Sequence, residues 1–261
     1  MSLVPQLRSA VAVALLGATL TACGSITDPL SPLDPTAAVA AKGGKPQPPP
    51  PPPPAPHTPI LFVHGWNASA STWTTMVGRF KADGWTSAEL ATFSYNTSQS
   101  NVTTAGIIAQ KVDSILAATG ATQVDIVTHS MGTLSARYYV KNTVGADAKV
   151  AAIVSLGGAN HGTTTAYICL QTACKEMYPN SSFLTALNAT DETPGASYYR
   201  TWWSPCDEVI NPRSSTSLSG ATNTQTACLT HSNLHEDATV YAQVRDWLKA
   251  PTAPALLALA P

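Results

Sequence analysis

The sequence is poor in charge. Only 11% of its 261 residues are Asp, Glu, Lys or Arg, and 14 basic against 15 acidic side chains leave a formal net charge of −1. There is no basic surplus to neutralise a nucleic-acid backbone and no acidic run to form a solvated tail. Metal-ligand spacing is missing as well. No His, Cys and Asp cluster has the intervals of a zinc site, and no stretch reads as a calcium-binding loop. The Gly157-Gly158 pair lacks the third glycine and the later acidic residue of a dinucleotide fingerprint. No metal and no cofactor are therefore expected. The longest apolar stretch, Ala10 to Leu20, falls short of the roughly 20 residues that cross a bilayer as a helix. No internal repeat is visible.

That short stretch has another use. Arg8 precedes it as a positive n-region, and Leu20-Thr21-Ala22-Cys23 closes it, so residues 1–23 read as an export signal. The closing tetrapeptide resembles a bacterial lipobox, in which the cysteine is lipidated and becomes the new N-terminus. Cys23 is thus the expected lipidation site, and the chain is expected in the cell envelope or secreted, with membrane contact through the lipid. Ordinary cleavage near Ala38-Val39-Ala40, with Cys23 lost, is the alternative. Four cysteines then remain, Cys169, Cys174, Cys206 and Cys228, and an exported chain would oxidise them to two disulfides. Of three possible pairings, Cys169–Cys174 and Cys206–Cys228 are favoured.

Residues 24–58 hold little that could pack. They contain seven consecutive prolines, Pro48 to Pro54, which favour extended polyproline II and suit a semi-rigid spacer. Residues 251–261 form a low-complexity tail. Between them, residues 59–250 alternate short apolar runs with helical patterns. Strands are expected at Ile60–Val63, Leu90–Tyr95, Val124–Thr128, Val150–Leu156 and Tyr198–Trp203. Helices are expected over Trp73–Ala82, Val102–Ala118, the stretch after Ser130 through Lys141, and Val240–Leu248. Such alternation implies an α/β domain with a mostly parallel sheet covered by helices on both faces. Thr163–Thr193 is irregular, and either a partial lid or a stapled surface loop.

Thr128-His129-Ser130-Met131-Gly132 lies between a buried strand and a helix, where a sharp turn would lift the Ser130 hydroxyl clear of the sheet as a nucleophile. Close packing at such a turn asks for small residues two positions to either side. Gly132 complies, whereas Thr128 stands where glycine is usual. His64-Gly65-Trp66 follows the first strand. There the Trp66 N–H, with that of Met131, could stabilise an oxyanion. A serine hydroxyl needs a base, and the base needs a carboxylate to set its tautomer. Downstream histidines are His161, His231 and His235; candidate acids are Asp207, with Asp191, Glu192 and Glu208 as alternatives. Asp207 follows the last expected strand and adjoins Cys206, while His231 lies just beyond Cys228, so a Cys206–Cys228 bridge would tie the acid loop to the base loop. His161 reads as a structural hydrogen-bonding residue, and His129 as packing beside the elbow. Trp85 and the Trp202-Trp203 pair read as core or rim.

Pro59-Ile60-Leu61-Phe62-Val63-His64-Gly65, Val124 to Gly132, and Val154-Ser155-Leu156-Gly157-Gly158-Ala159-Asn160 together resemble the lipase class 2 family, over about Pro59 to Leu248. That resemblance implies a minimal α/β-hydrolase fold without a large cap domain. It also implies hydrolysis of carboxylic esters, triacylglycerols in the family's usual case, through an acyl-enzyme. It assigns the catalytic base to His231, which opens a His-x-x-Leu stretch before the last helix, leaving His235 as a surface or cap residue, and the acid to Asp207. A short-chain carboxylesterase or polyester depolymerase would use the same residues. A non-catalytic surface-binding protein on this fold is the alternative from another class.

Overall fold

The computed structural model describes residues 57–250. The export signal with Cys23, nearly all of the proline-rich spacer and the tail lie outside the described residues.

Six strands form one sheet in the order β2-β1-β3-β4-β5-β6, every neighbouring pair parallel. β1 (Ile60–Val63) is buried on both faces, and its pleat sorts its residues cleanly. Leu61 and Val63 join one core cluster; Ile60 and Phe62 join the other. α1 (Thr74–Ala82) follows a 3₁₀ turn and packs Met76 and Phe80 on the Ile60 side. β2 (Leu90–Thr92) leads to α2 (Asn101–Thr119), which sets Ile108, Val112 and Ile115 on the Leu61 side. The Ser100 side chain caps α2 at Val102 N–H, and Gly120 ends it at φ 69°.

β3 (Val124–His129) runs directly into α3 (Gly132–Asn142), and the short α4 (Ala146–Lys149) precedes β4 (Val150–Leu156). After the cysteine-bearing segment, with α5 (Thr172–Glu176) and α6 (Ser182–Asn188), come β5 (Tyr198–Trp203) and β6 (Thr222–Gln225). α7 (Ala238–Lys249) closes the Ile60 side with Val240, Tyr241 and Val244, its N-terminus capped by Asp237.

Strand order places the site. From β1 the chain steps to β2 on one side, then crosses to β3 on the other. The carboxyl ends of β1 and β3 therefore meet where the strand order reverses, the end of a parallel sheet at which ligands bind.

Three expectations need correction. The second strand stops at Thr92, short of Tyr95, because the next residues turn to brace the β1 loop. Ser94 Oγ accepts from Ala70 N–H at 3.0 Å, and Tyr95 hydroxyl donates to the His64 carbonyl at 2.5 Å. β6 was not expected at all: Thr-Asn-Thr-Gln is polar and mostly exposed at a sheet edge, with no apolar alternation to announce it. Residues 163–193 are also more ordered than an irregular loop. They bury Ala166, Cys174, Met177, Leu184 and Leu187 in a third cluster beside Met131 and Leu134.

This segment is nailed down at several points. The Glu176 carboxylate accepts from Ser100 Oγ and from Asn101 N and Nδ2 at the start of α2. From α3, Lys141 Nζ donates to the carbonyls of Leu187 and Ala189, and Arg137 to that of Glu192. Of the two readings offered by the sequence, lid or stapled loop, the anchoring matches the second. Only Tyr167, Ile168 and Leu170 stand out as large exposed apolar residues on it.

Candidate active site

Ser130 has φ 56°, a left-handed conformation that costs a non-glycine residue energy and must be enforced by its surroundings. The enforcement comes from close backbone packing. A β-carbon at Gly132 would lie 2.5 Å from the His64 carbonyl oxygen and 2.6 Å from that of Val63, and one at Gly65 would lie 2.7 Å from Ser130 Cβ. The turn after β3 is thus pressed onto the loop after β1, and Ser130 N–H is tied to the Leu156 carbonyl at 2.9 Å.

Thr128, the departure from the usual glycine, is accommodated by a buried chain of hydroxyls with a fixed direction. Thr128 gives its proton to the Val154 carbonyl (2.6 Å), so in its 2.7 Å contact with Thr133 it accepts. Thr133, having donated, accepts from Ser155 (3.2 Å), and Ser155 accepts from Asn160 Nδ2 (3.3 Å). Asn160 Oδ1 in turn accepts from the buried Arg137 at 3.4 Å. Each hydroxyl is satisfied, as burial demands. Gly158 is obligatory beside this chain, since a β-carbon there would strike Ser155 and Thr133.

Asp207 and His231 come from the loops after β5 and β6. Asp207 is 3% exposed; its Oδ1 accepts from Val209 and Ile210 N–H at 2.9 and 2.8 Å. Its Oδ2 lies 2.8 Å from His231 Nδ1. A carboxylate flanked by two backbone donors is an acceptor only, so the ring proton sits on Nδ1 and Nε2 carries the lone pair. His231 Nε2 is buried without a hydrogen-bond partner among the described residues. Gly157, at φ 55°, sits against this pair: a β-carbon would come within 3.1 Å of His231 Cε1 and 3.2 Å of Asp207 Oδ2.

Both expected disulfides are present, Cys169–Cys174 and Cys206–Cys228, with Cα separations of 5.9 and 4.9 Å. The second joins the acid loop to the base loop, reinforced by Ser204 Oγ, which donates to the Leu229 carbonyl and accepts from Leu229 N–H.

Ser130 and His231 line one cavity of ≈ 390 Å³, whose apolar wall includes Ala166, Ile168, Met177, Val209 and Ile210. Trp66 lines it too, and no turn, loop or cap hydrogen bond occupies the N–H of Trp66 or Met131 among the described residues. The loop carrying Trp66 is stiffened by His64, whose Nδ1 donates to the Gly65 carbonyl and whose ring stacks on Tyr95 at 4.2 Å. Burial holds the His64 pKa below its ordinary value, which keeps this ring neutral.

Not every candidate gathers here. His161 pairs with Glu192 at 2.7 Å and takes the structural role expected of it. Asp191 accepts from Thr193 in its own loop. Glu208 does reach His231, but at its backbone N–H, 2.9 Å away. His235 lines the cavity beside His129, more buried than a surface residue, with Nδ1 3.3 Å from Glu236. Trp202 is core and Trp85 stacks on His57, and neither lines the cavity. Among the described residues no His, Cys, Asp or Glu grouping could hold a metal ion.

The model of the family described as Lipase (class 2) matches residues 57–247, nearly the whole described chain. The chain belongs to the class 2 lipase family. Membership makes it a lipolytic ester hydrolase in the broad sense. Solved structures agree on the fold. The mature form of Bacillus licheniformis lipase BlEst2 superimposes with a TM-score of 0.66 at 18% identity, over 75% of this chain and 94% of that one. Aspergillus fumigatus lipase B gives 0.66 at 18%, over 74% and 52%. A Paleococcus ferrophilus monoacylglycerol lipase gives 0.55 at 12%, over 74% and 96%. The parallel sheet, with no large cap among the described residues, is that of an α/β hydrolase.

Proposed function

We propose that this class 2 lipase cleaves carboxylic esters by two-step acyl transfer on Ser130. The observation that carries the reading is a serine held at φ 56° on a strand-to-helix turn, sharing a cavity with an imidazole whose far nitrogen is 2.8 Å from a buried carboxylate. In this reading His231 Nε2 takes the Ser130 proton as the hydroxyl attacks the ester carbonyl, then returns it to the leaving alcohol. Asp207 holds the tautomer and balances the imidazolium formed in between. The Trp66 and Met131 N–H groups receive the oxyanion, and the amino end of α3 adds a favourable dipole. Water repeats the sequence to release the acid.

A lipase preference, rather than a short-chain esterase, is favoured by one feature. Ile168 lines the apolar wall and is itself exposed, and its sequence neighbours Tyr167 and Leu170 are exposed too, an apolar rim suited to long acyl chains. Export with an N-terminal lipid at Cys23 remains part of the proposal, and two disulfides suit an oxidising compartment. No helix among the described residues is long and apolar enough to cross a membrane.

The test compares wild type with Ser130→Ala on p-nitrophenyl esters from acetate to palmitate. Hydrolysis should fall about 10³-fold or more in the mutant, and the wild type should favour the longer chains. Retention of activity by a clean mutant preparation refutes the mechanism. A maximum at acetate refutes the lipase preference alone.

A further inference from the structure

His231 directly follows a stretch, residues 222–230, in which no residue is buried. A base in that position needs something to hold its main chain, because a displacement of about 1 Å can cost a hundredfold in rate. Two side chains do so, one from the loop after β5 and one from the last residue of β3. Glu208 Oε2 accepts the His231 backbone N–H at 2.9 Å, and His129 Nε2 donates to the His231 backbone carbonyl at 3.0 Å, which also receives Leu234 N–H at 3.4 Å. We propose that Glu208 and His129 are positioning residues that clamp the His231 main chain from both sides, fixing its ring relative to Ser130. The inference rests on the Ser130–His231–Asp207 reading above.

The two arms differ in what they link. Glu208 directly follows Asp207, so the residue pair grips the base twice, Asp207 by the ring and Glu208 by the backbone. His129 directly precedes Ser130, so it joins the nucleophile's main chain to the base's. Its ring lies 4.5 Å from that of His231, where a second positive charge would oppose imidazolium formation. Burial, then the proximity of His231 and His235, hold the His129 pKa well below its ordinary value. The ring is therefore neutral, and because a carbonyl can only accept, its one proton sits on Nε2. His129 can serve as a clamp without competing as an acid.

The experiment measures kcat and KM, with the rate of fluorophosphonate labelling, for Glu208→Ala, Glu208→Gln, His129→Leu and His129→Gln beside Ser130→Ala. Expected are kcat values about tenfold lower for Glu208→Ala and His129→Leu, labelling slowed in proportion, and KM within about twofold of wild type. The glutamine variants, which keep an acceptor oxygen at 208 and a donor N–H of similar reach at 129, should recover most of the loss. Glu208 is exposed, so its variants test the proposal even if His129→Leu does not fold. Wild-type turnover in Glu208→Ala with Ser130→Ala inactive overturns the clamp and leaves the triad standing. Glutamine variants as slow as the others overturn it too, as does a rise in KM with kcat unchanged. Activity in Ser130→Ala defeats the underlying reading instead.

Discussion

Ser130 and His231, the proposed nucleophile and base, are held by different means. Ser130 sits where buried parallel strands end, and its geometry is imposed by backbone pressed on backbone at Gly65 and Gly132, with the Thr128–Thr133–Ser155–Asn160 chain beneath it. His231 sits beyond a polar edge strand, and cross-links hold it: a disulfide, the Asp207 contact and hydrogen bonds to its main chain. A sheet positions what emerges from its centre without further help, whereas a residue arriving from the edge has to be tied.

Mutations should separate these modes. The largest effect is expected from Asp207→Asn, whose Oδ1 could still accept from Val209 and Ile210. The fold should survive while kcat drops by about 10³ to 10⁴, because the imidazole loses the partner that sets its tautomer; steady-state kinetics with a thermal melt would show it. Glu208 is in no position to substitute, its carboxylate being on the His231 backbone. On the nucleophile side, Gly132→Val has no such division. Its side chain would meet two main-chain carbonyls, so stability and activity should fall together by several kcal/mol, read as lost soluble yield or a collapsed melting temperature.

The ties come next. Removing Cys206–Cys228 by a double Ser replacement opens a link between residues 22 apart, expected to cost about 3 kcal/mol in denaturant titration and to lower kcat through His231. The same change at Cys169–Cys174, 5 residues apart, should cost about 2 kcal/mol. It should move the acyl-length profile more than the rate on acetate, since Cys174 belongs to the apolar wall.

The smallest effect on turnover lies far from either loop. Asp125 on β3 is buried, and burial pushes its pKa up from 3.8 to about 8. The folded state therefore keeps a proton that the unfolded chain releases, and stability should fall as pH rises from about 4 to about 8. Asp125→Asn should flatten that slope, with a gain over wild type that grows toward pH 8. Parallel slopes for the two proteins would show that Asp125 does not titrate in this way.

Legibility in the sequence follows the same division. β1, β3 and β4 are buried on both faces and read as apolar runs, and the elbow between β3 and α3 carried its own small-residue requirement. β6 was invisible because it is polar. The short α5 and α6 escaped notice because each is too brief to display a period. Asp207 and His231 could be ranked among candidates, yet neither adjacency nor spacing indicated that Glu208 would turn to a backbone N–H while its neighbour took the ring.

Local chemistry alone therefore determined the strand core and the turn that carries Ser130, because these depend on residue type and period along the chain. Tertiary structure alone decided which carboxylate meets which nitrogen, what stands behind Thr128, and how the base is held. Those outcomes depend on which loops the parallel sheet, in the order β2-β1-β3-β4-β5-β6, delivers to the same end, and on the few ångströms of space left between them.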